Sequence, residues 1–156
     1  MPTPTRILFV CHGNICRSPM AEFVMRDLAM RAGRANEFRI ASAATTNEEI
    51  GNSVHPGTRR MLAAHDIACV GKTARQVKRD EYKSWDLIVA MDDENVGDLM
   101  RVFRNDPECK VHKLMEYAEG GDLKSARDVT DPWFTGDFEK TWDDVYAGCK
   151  GILATL

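Results

Sequence analysis

"FVCHGNICRSP", Phe9 to Pro19, decides how the rest of the chain is read. It sets two cysteines, a glycine, an asparagine and an arginine between an apolar run and a helix-start signal. Upstream, "RILFV" (Arg6–Val10) is short, apolar and β-branched, the pattern of a buried strand. Downstream, Ser18 is a preferred N-cap and Pro19 is tolerated at the first helical position. Ala21, Val24, Met25 and Leu28 then recur at i, i+3, i+4 and i+7, which predicts a helix to about Gly33.

The same reading extends along the chain. "FRIASA" (Phe38–Ala43), "DLIVAM" (Asp86–Met91) and "KVHKL" (Lys110–Leu114) are predicted strands. Helices are predicted over Thr58–His65, after a cap at Asp92 with Val96, Leu99, Met100 and Phe103 on one stripe, and from Phe138 through Trp142, Val145, Cys149 and Ile152. Thr45–Gly57 and Tyr117–Asp137 are expected to be loops. Strands alternating with helices predict an α/β fold: a four-stranded parallel sheet with helices on both faces, in one domain over residues 1–156.

Bulk properties exclude several classes. The chain has 156 residues, 44% hydrophobic and 29% charged, with net charge −3. That balance carries no basic footprint for nucleic acid. No apolar run approaches a membrane span, and "MPTPTRILFV" has no charged region leading into a long apolar one, so a cytoplasmic protein is expected. Five cysteines with no secretory signal favour free thiols over a disulfide framework. The four histidines are scattered and form no metal-ligand spacing.

In a parallel sheet, ligands bind beyond the carboxyl ends of strands, at a switch in strand order. "CHGNICR" lies at such an end, with its loop after the first strand. Gly13 takes φ > 0 freely, and Asn14 tolerates it best after glycine. A tight curl there turns successive N–H groups inward, and the following helix adds its positive end, which makes a nest for a tetrahedral oxyanion. Cys69 and Arg75 repeat the Cys–Arg spacing in "CVGKTAR", but with neither a strand before nor a Ser-Pro start behind, and are read as a decoy.

"VCHGNICRSPMAE" together with "DPWF" resembles the low-molecular-weight protein tyrosine phosphatases. "SAATTNEEIGN" (Ser42–Asn52), "ARQV" (Ala74–Val77), "MDDEN" (Met91–Asn95) and "DFEKTWDDVYAGC" (Asp137–Cys149) fall in family order, so the resemblance covers nearly the whole chain. It implies hydrolysis of protein phosphotyrosine and small aryl phosphates through a cysteinyl-phosphate, with no metal and no cofactor. Cys11 is then the nucleophile, since only a thiolate attacks and a helix N-terminus beside an arginine favours one. Arg17 offers a planar fork to phosphate oxygens. The remaining phosphate contacts fall to the loop residues His12, Gly13, Asn14, Ile15 and Cys16. Asp131 protonates the leaving phenolate and then activates water, with Pro132 biasing its backbone to extended. Ser18 supports the sulfur, while Asn14 and Ser42 hold the loop's turn. Cys16 is the expected redox partner of Cys11. His12 as a catalytic base is disfavoured, because adjacent side chains on a curled loop diverge.

Three departures stand out. Lys72 occupies a position where relatives often carry His. Glu48, beside Glu49, stands at the substrate rim where some relatives place an aromatic ring. Trp133 and Phe134 replace two tyrosines, which excludes tyrosine phosphorylation at those positions. A monomer acting on a phosphotyrosine-containing protein is expected. Two rivals are weaker. An arsenate reductase needs two further cysteines on one mobile segment, yet Arg79–Asp106 has none and Cys69 and Cys109 lie 40 residues apart. A binding module without catalysis would not need Cys11, Arg17 and Asp131 together.

Overall fold

A computed structural model describes residues 3–156. Four parallel strands, β1 (Thr5–Cys11), β2 (Phe38–Ala44), β3 (Leu87–Ala90) and β4 (Val111–Lys113), form one sheet in the order β2-β1-β3-β4. Register runs Thr5 to Phe38 through Cys11 to Ala44 on one side of β1, and Ile7 to Leu87 through Val10 to Ala90 on the other. The chain leaves β1 for one neighbour and later returns to the other, so the strand order switches at the carboxyl end of β1.

Alternation along β1 divides the core. Ile7, Phe9 and Cys11 face α1 (Arg17–Arg31) and α6 (Phe138–Thr155), meeting Met20, Val24, Met25, Trp142, Val145 and Cys149. Leu8 and Val10 face α3 (Asp93–Phe103), with Leu99, Val77 and Trp85. Ile7, Leu8, Phe9 and Val10 are wholly buried. Each such side chain contributes about 1.5–3 kcal/mol on burial, so the loop after β1 departs from a firmly held point.

Some expected boundaries move. α1 begins at Arg17 with Cys16 as its flanking residue, and Ser18 is not its N-cap. The Ser18 hydroxyl is instead spent on Cys11 and Asn14. Pro19 still lies in the first turn, where no intrahelical N–H is needed. α2 (Pro56–Ala64) starts earlier than expected because the His55 ring nitrogen accepts the Gly57 N–H at 3.0 Å. The stretch expected as one loop from Tyr117 to Asp137 holds parts of two short helices. α4 (Leu114–Glu119) is capped by Glu116 reaching back to the Lys113 N–H, and α5 (Pro132–Thr135) is a single turn capped by Asp131. Neither is long enough to display a helical period.

Candidate active site

The loop between β1 and α1 is built around a buried thiol. Cys11 Sγ accepts the Asn14 N–H at 3.3 Å and lies 3.0 Å from Ser18 Oγ. Asn14 is the residue with left-handed backbone, φ 59°. Gly13, the other residue free to take positive φ, does not; a Cβ there would meet Glu49 Cγ at 3.3 Å, so the Glu49 side chain would have to give way slightly.

Hydrogen-bond bookkeeping orients the sulfur's partner. Asn14 Nδ2 donates to Ser18 Oγ (2.8 Å) and Ser42 Oγ (2.9 Å), and Asn14 Oδ1 accepts the Arg75 N–H. Ser42 donates its own proton to buried Glu22 at 2.5 Å. Both Nδ2 hydrogens are thereby used, and the Ser18 O–H is left to point at the sulfur. Lys72 does not touch Asn14. It donates to the Ser42 carbonyl at 2.9 Å and pairs with Glu22 at 3.5 Å, so it braces the loop through its neighbours. Burial pushes the Lys72 ammonium below its ordinary range, against the pull of Glu22.

Arg17, its side chain 3% exposed, donates from Nη1 to Asp92 (2.7 Å) and the Val129 carbonyl (3.3 Å), and from Nη2 to Asp131 (3.3 Å). Burial opposes its charge, but Cys11, Asp92 and Asp131 outweigh it and hold the guanidinium above its ordinary range. Asp131 is fixed from its other oxygen, which accepts the Trp133 N–H at 3.0 Å. Cys11, Arg17 and Asp131 thus line one cavity of about 600 Å³, whose mouth carries Glu48, Glu49, Trp133 and Phe134. His12, Gly13, Ile15 and Cys16 also line it; Asn14, Ser18 and Ser42 stand behind the loop, and all three are buried.

His12 turns to the rim, where one ring nitrogen meets Glu48 at 2.6 Å and the other Glu94 at 3.3 Å. Partial burial opposes its charge, yet the two carboxylates hold it above its ordinary range. Burial, then the neighbouring Cys11, push the Cys16 thiol up to about 12. Among the described residues, His12, Glu94 and Asp98 are close enough to share a cation, but each already has partners: Asp98 takes Arg101 and the Thr45 hydroxyl. The decoy pair separates, with Cys69 buried in the core cluster and Arg75 paired to Glu81.

Sequence reasoning gave Asp92 only a capping role. It caps Asn95 with one oxygen and holds Arg17 with the other. Its place just past the carboxyl end of β3 was the available signal. Glu22 and Glu94 lacked any local signal, because their partners are distant in sequence.

A thiol that accepts a loop N–H, a guanidinium at its side and a carboxylic acid on the facing loop are the groups that phosphoryl transfer to sulfur and on to water would call on. The Low molecular weight phosphotyrosine protein phosphatase family profile matches residues 6–156. Low molecular weight protein-tyrosine-phosphatase YfkJ of Bacillus subtilis (strain 168) is 42% identical over 152 residues, 96% of this chain and 94% of its own. The Gallus gallus low molecular weight phosphotyrosine protein phosphatase is 36% identical, over 94% of this chain and 92% of its own. The crystal structure of YfkJ superposes with a TM-score of 0.92 at 39% identity, covering 99% of this chain and 95% of that one. SP-PTP from Streptococcus pyogenes gives 0.84 at 35%, covering 97% and 93%. The chain belongs to the low molecular weight phosphotyrosine protein phosphatase family, and it is an enzyme, a protein-tyrosine phosphatase.

Proposed function

We propose that phosphotyrosine hydrolysis runs here in two steps on Cys11. The thiolate attacks phosphorus while the N–H groups of residues 12–17 and the Arg17 fork hold the three phosphoryl oxygens. An arriving phosphate competes with Asp131 for Arg17 Nη2, and its negative charge favours the protonated acid. Asp131 then gives its proton to the departing phenolate oxygen. In the second step Asp131 takes a proton from water as water attacks phosphorus, and the P–S bond breaks toward a sulfur stabilised by the Ser18 O–H. The observation that carries this reading is the sulfur's paired contacts, Asn14 N–H at 3.3 Å and Ser18 Oγ at 3.0 Å, in one cavity with Arg17 and Asp131. No step calls on a metal or cofactor.

The test is hydrolysis of phosphotyrosine peptides and an aryl phosphate in excess chelator. Undiminished rates with competitive inhibition by vanadate are expected; loss of activity that added metal restores would overturn the reading. The same assay carries a peroxide arm. Cys16 is held to trap an oxidised Cys11 as a disulfide, because oxidation to sulfenic acid removes the Cys11 charge that helps suppress the Cys16 thiolate. Dithiothreitol should restore oxidised enzyme, and Cys16→Ser should lose that reversibility. Recovery equal to wild type in Cys16→Ser would remove Cys16 from this role.

The rim bears on substrate choice. Glu48, expected at the rim, is paired there with His12. One imidazolium shared by Glu48 and Glu94, with Glu49 alongside, still leaves the mouth acidic. A carboxylate about 8 Å from a phosphate dianion costs about 1 kcal/mol at the dielectric of water, which a Lys or Arg beside the phosphotyrosine offsets. Because the His12 pKa is raised, its charge is full below the ordinary histidine value and lost as pH rises through the raised one. The preference for basic flanks should therefore widen from pH 6 to 9. Glu48→Tyr should raise kcat/KM on a neutral aryl phosphate by about 2–10-fold through ring stacking. A preference for acidic flanks, unmoved by pH or by Glu48→Tyr, would contradict this.

Within the family's chemistry we place the enzyme in the cytoplasm as a monomer. Its cysteines are free, its nucleophile requires reducing conditions, and Cys11, Arg17 and Asp131 already line one cavity within a single copy of the chain. Among the described residues no helix is long and apolar enough to cross a membrane.

A further inference from the structure

Lys113, the last residue of β4, is 1% exposed, although a buried ammonium is costly unless each of its protons finds an acceptor. It finds three: the Ala126 carbonyl at 2.5 Å, Asp128 Oδ1 at 2.8 Å and Asp93 Oδ1 at 2.9 Å. The first two belong to the loop that carries Asp131, and the third is the first residue of α3, next to the Asp92 that holds Arg17. Asp128 Oδ1 also accepts the Asp93 N–H at 3.0 Å, so loop, helix start and sheet edge meet at one cation. Burial works against the charge, but the bonds to Asp128 and Asp93 outweigh it and keep the ammonium protonated.

From this clamp the chain runs to the acid under continuous restraint. The Val129 N–H reaches the Met91 carbonyl at 2.8 Å, the Val129 carbonyl meets Arg17, and the Thr130 carbonyl accepts the Thr141 hydroxyl at 2.9 Å. Upstream, Arg127 is tied to Asp144 of α6. Lys113 is the sheet's own hold on this loop. An apolar side chain would fill the same space at less cost, but it would not fix where the loop crosses the end of the sheet.

We propose that Lys113 is a positioning residue for Asp131, setting the reach of the acid to the leaving oxygen by pinning Ala126 and Asp128 against α3. This rests on Asp131 being the general acid. A displacement of about 1 Å at such a group costs up to about 10²-fold, and the signature is specific, because it scales with how much the leaving group needs a proton.

The test measures kcat/KM, which reports steps up to leaving-group departure, across aryl phosphates of rising phenol pKa. It compares wild type, Lys113→Met, Asp128→Ala, Asp131→Ala and Lys113→Met/Asp131→Ala. The Asp93 and Asp128 side chains are 74% and 50% exposed, so losing Lys113 returns them to water rather than stranding them. Asp128→Ala removes the acceptor oxygen, so it breaks the clamp from the loop side and keeps the lysine paired to Asp93. Lys113→Met should lose about 10-fold or more on the poorest leaving groups and less than about twofold on the best. Asp128→Ala should slope the same way, and Lys113→Met should add nothing once Asp131 is alanine. A flat loss across the series, or a full additional loss in the double variant, would overturn the proposal and leave Lys113 a structural cation. A flat series for Asp131→Ala alone would instead overturn the acid assignment on which it rests.

Discussion

Cys11→Ser should abolish turnover, with a loss of at least about 10⁴-fold, while the loop still binds inorganic phosphate. A serine hydroxyl is not ionised near neutrality and makes no thiophosphate. The rest of the cradle is independent of the sulfur's identity. The Asn14 side chain is held by Ser18 and Ser42, Arg17 is held by Asp92 and Val129, and the N-terminus of α1 stays in place. Titration calorimetry with phosphate should therefore report binding within a few-fold of wild type. Turnover in Cys11→Ser within about tenfold of wild type would exclude the sulfur as nucleophile.

Asp131→Ala carries the second large effect. It should lower kcat/KM by about 10²–10⁴-fold on aryl phosphates with poor leaving groups, and the loss should shrink as the phenol becomes more acidic. Asp131 also caps α5 through the Trp133 N–H, and an alanine forfeits about 1 kcal/mol of capping. Asp131→Asn keeps a capping oxygen and removes only the proton, so it separates the two roles. Equal losses across the leaving-group series in Asp131→Asn would remove the acid role.

The elements that could be read from sequence are those whose side chains repeat. The apolar run of β1, the i, i+3, i+4 stripe of α1 and the capped stripe of α3 each carry their own pattern over a dozen residues or fewer. α4 and α5 are one or two turns long, held by Glu116 and Asp131 rather than by periodicity, and so read as loop. The Ser18-Pro19 start signal was real in kind but shifted. A serine hydroxyl committed to a thiol and an asparagine amide cannot also cap a helix, and nothing local announces that commitment.

At the site, identity was legible and mutual arrangement was not. The loop residues and the Asp-Pro pair stand in the sequence as short motifs, so Cys11, Arg17 and Asp131 were nameable before any geometry. Gly13 and Asn14 were both open to positive φ, and Asn14 adopts it, because its side chain supplies three hydrogen bonds that offset the strain. Glu48 was placed at the rim, but its pairing was not legible, since its partner His12 is 36 residues away. Lys113 gave no sign at all: in sequence it is one more charged residue beside a strand, and only the sheet's carboxyl edge brings it against the acid's loop.

The central claim, that phosphate passes through Cys11, is tested most directly by trapping the intermediate. Enzyme mixed with an aryl phosphate of an acidic phenol, whose departure needs no proton from Asp131, is quenched in acid within milliseconds, digested and mapped by mass spectrometry. The account predicts one phosphoryl group on the peptide containing Cys11, at a burst amplitude approaching one per enzyme when the second step is slowed in Asp131→Asn. Phosphate found on His12 or any other residue, or substrate turned over with no phosphoenzyme at any quench time in Asp131→Asn, would contradict it.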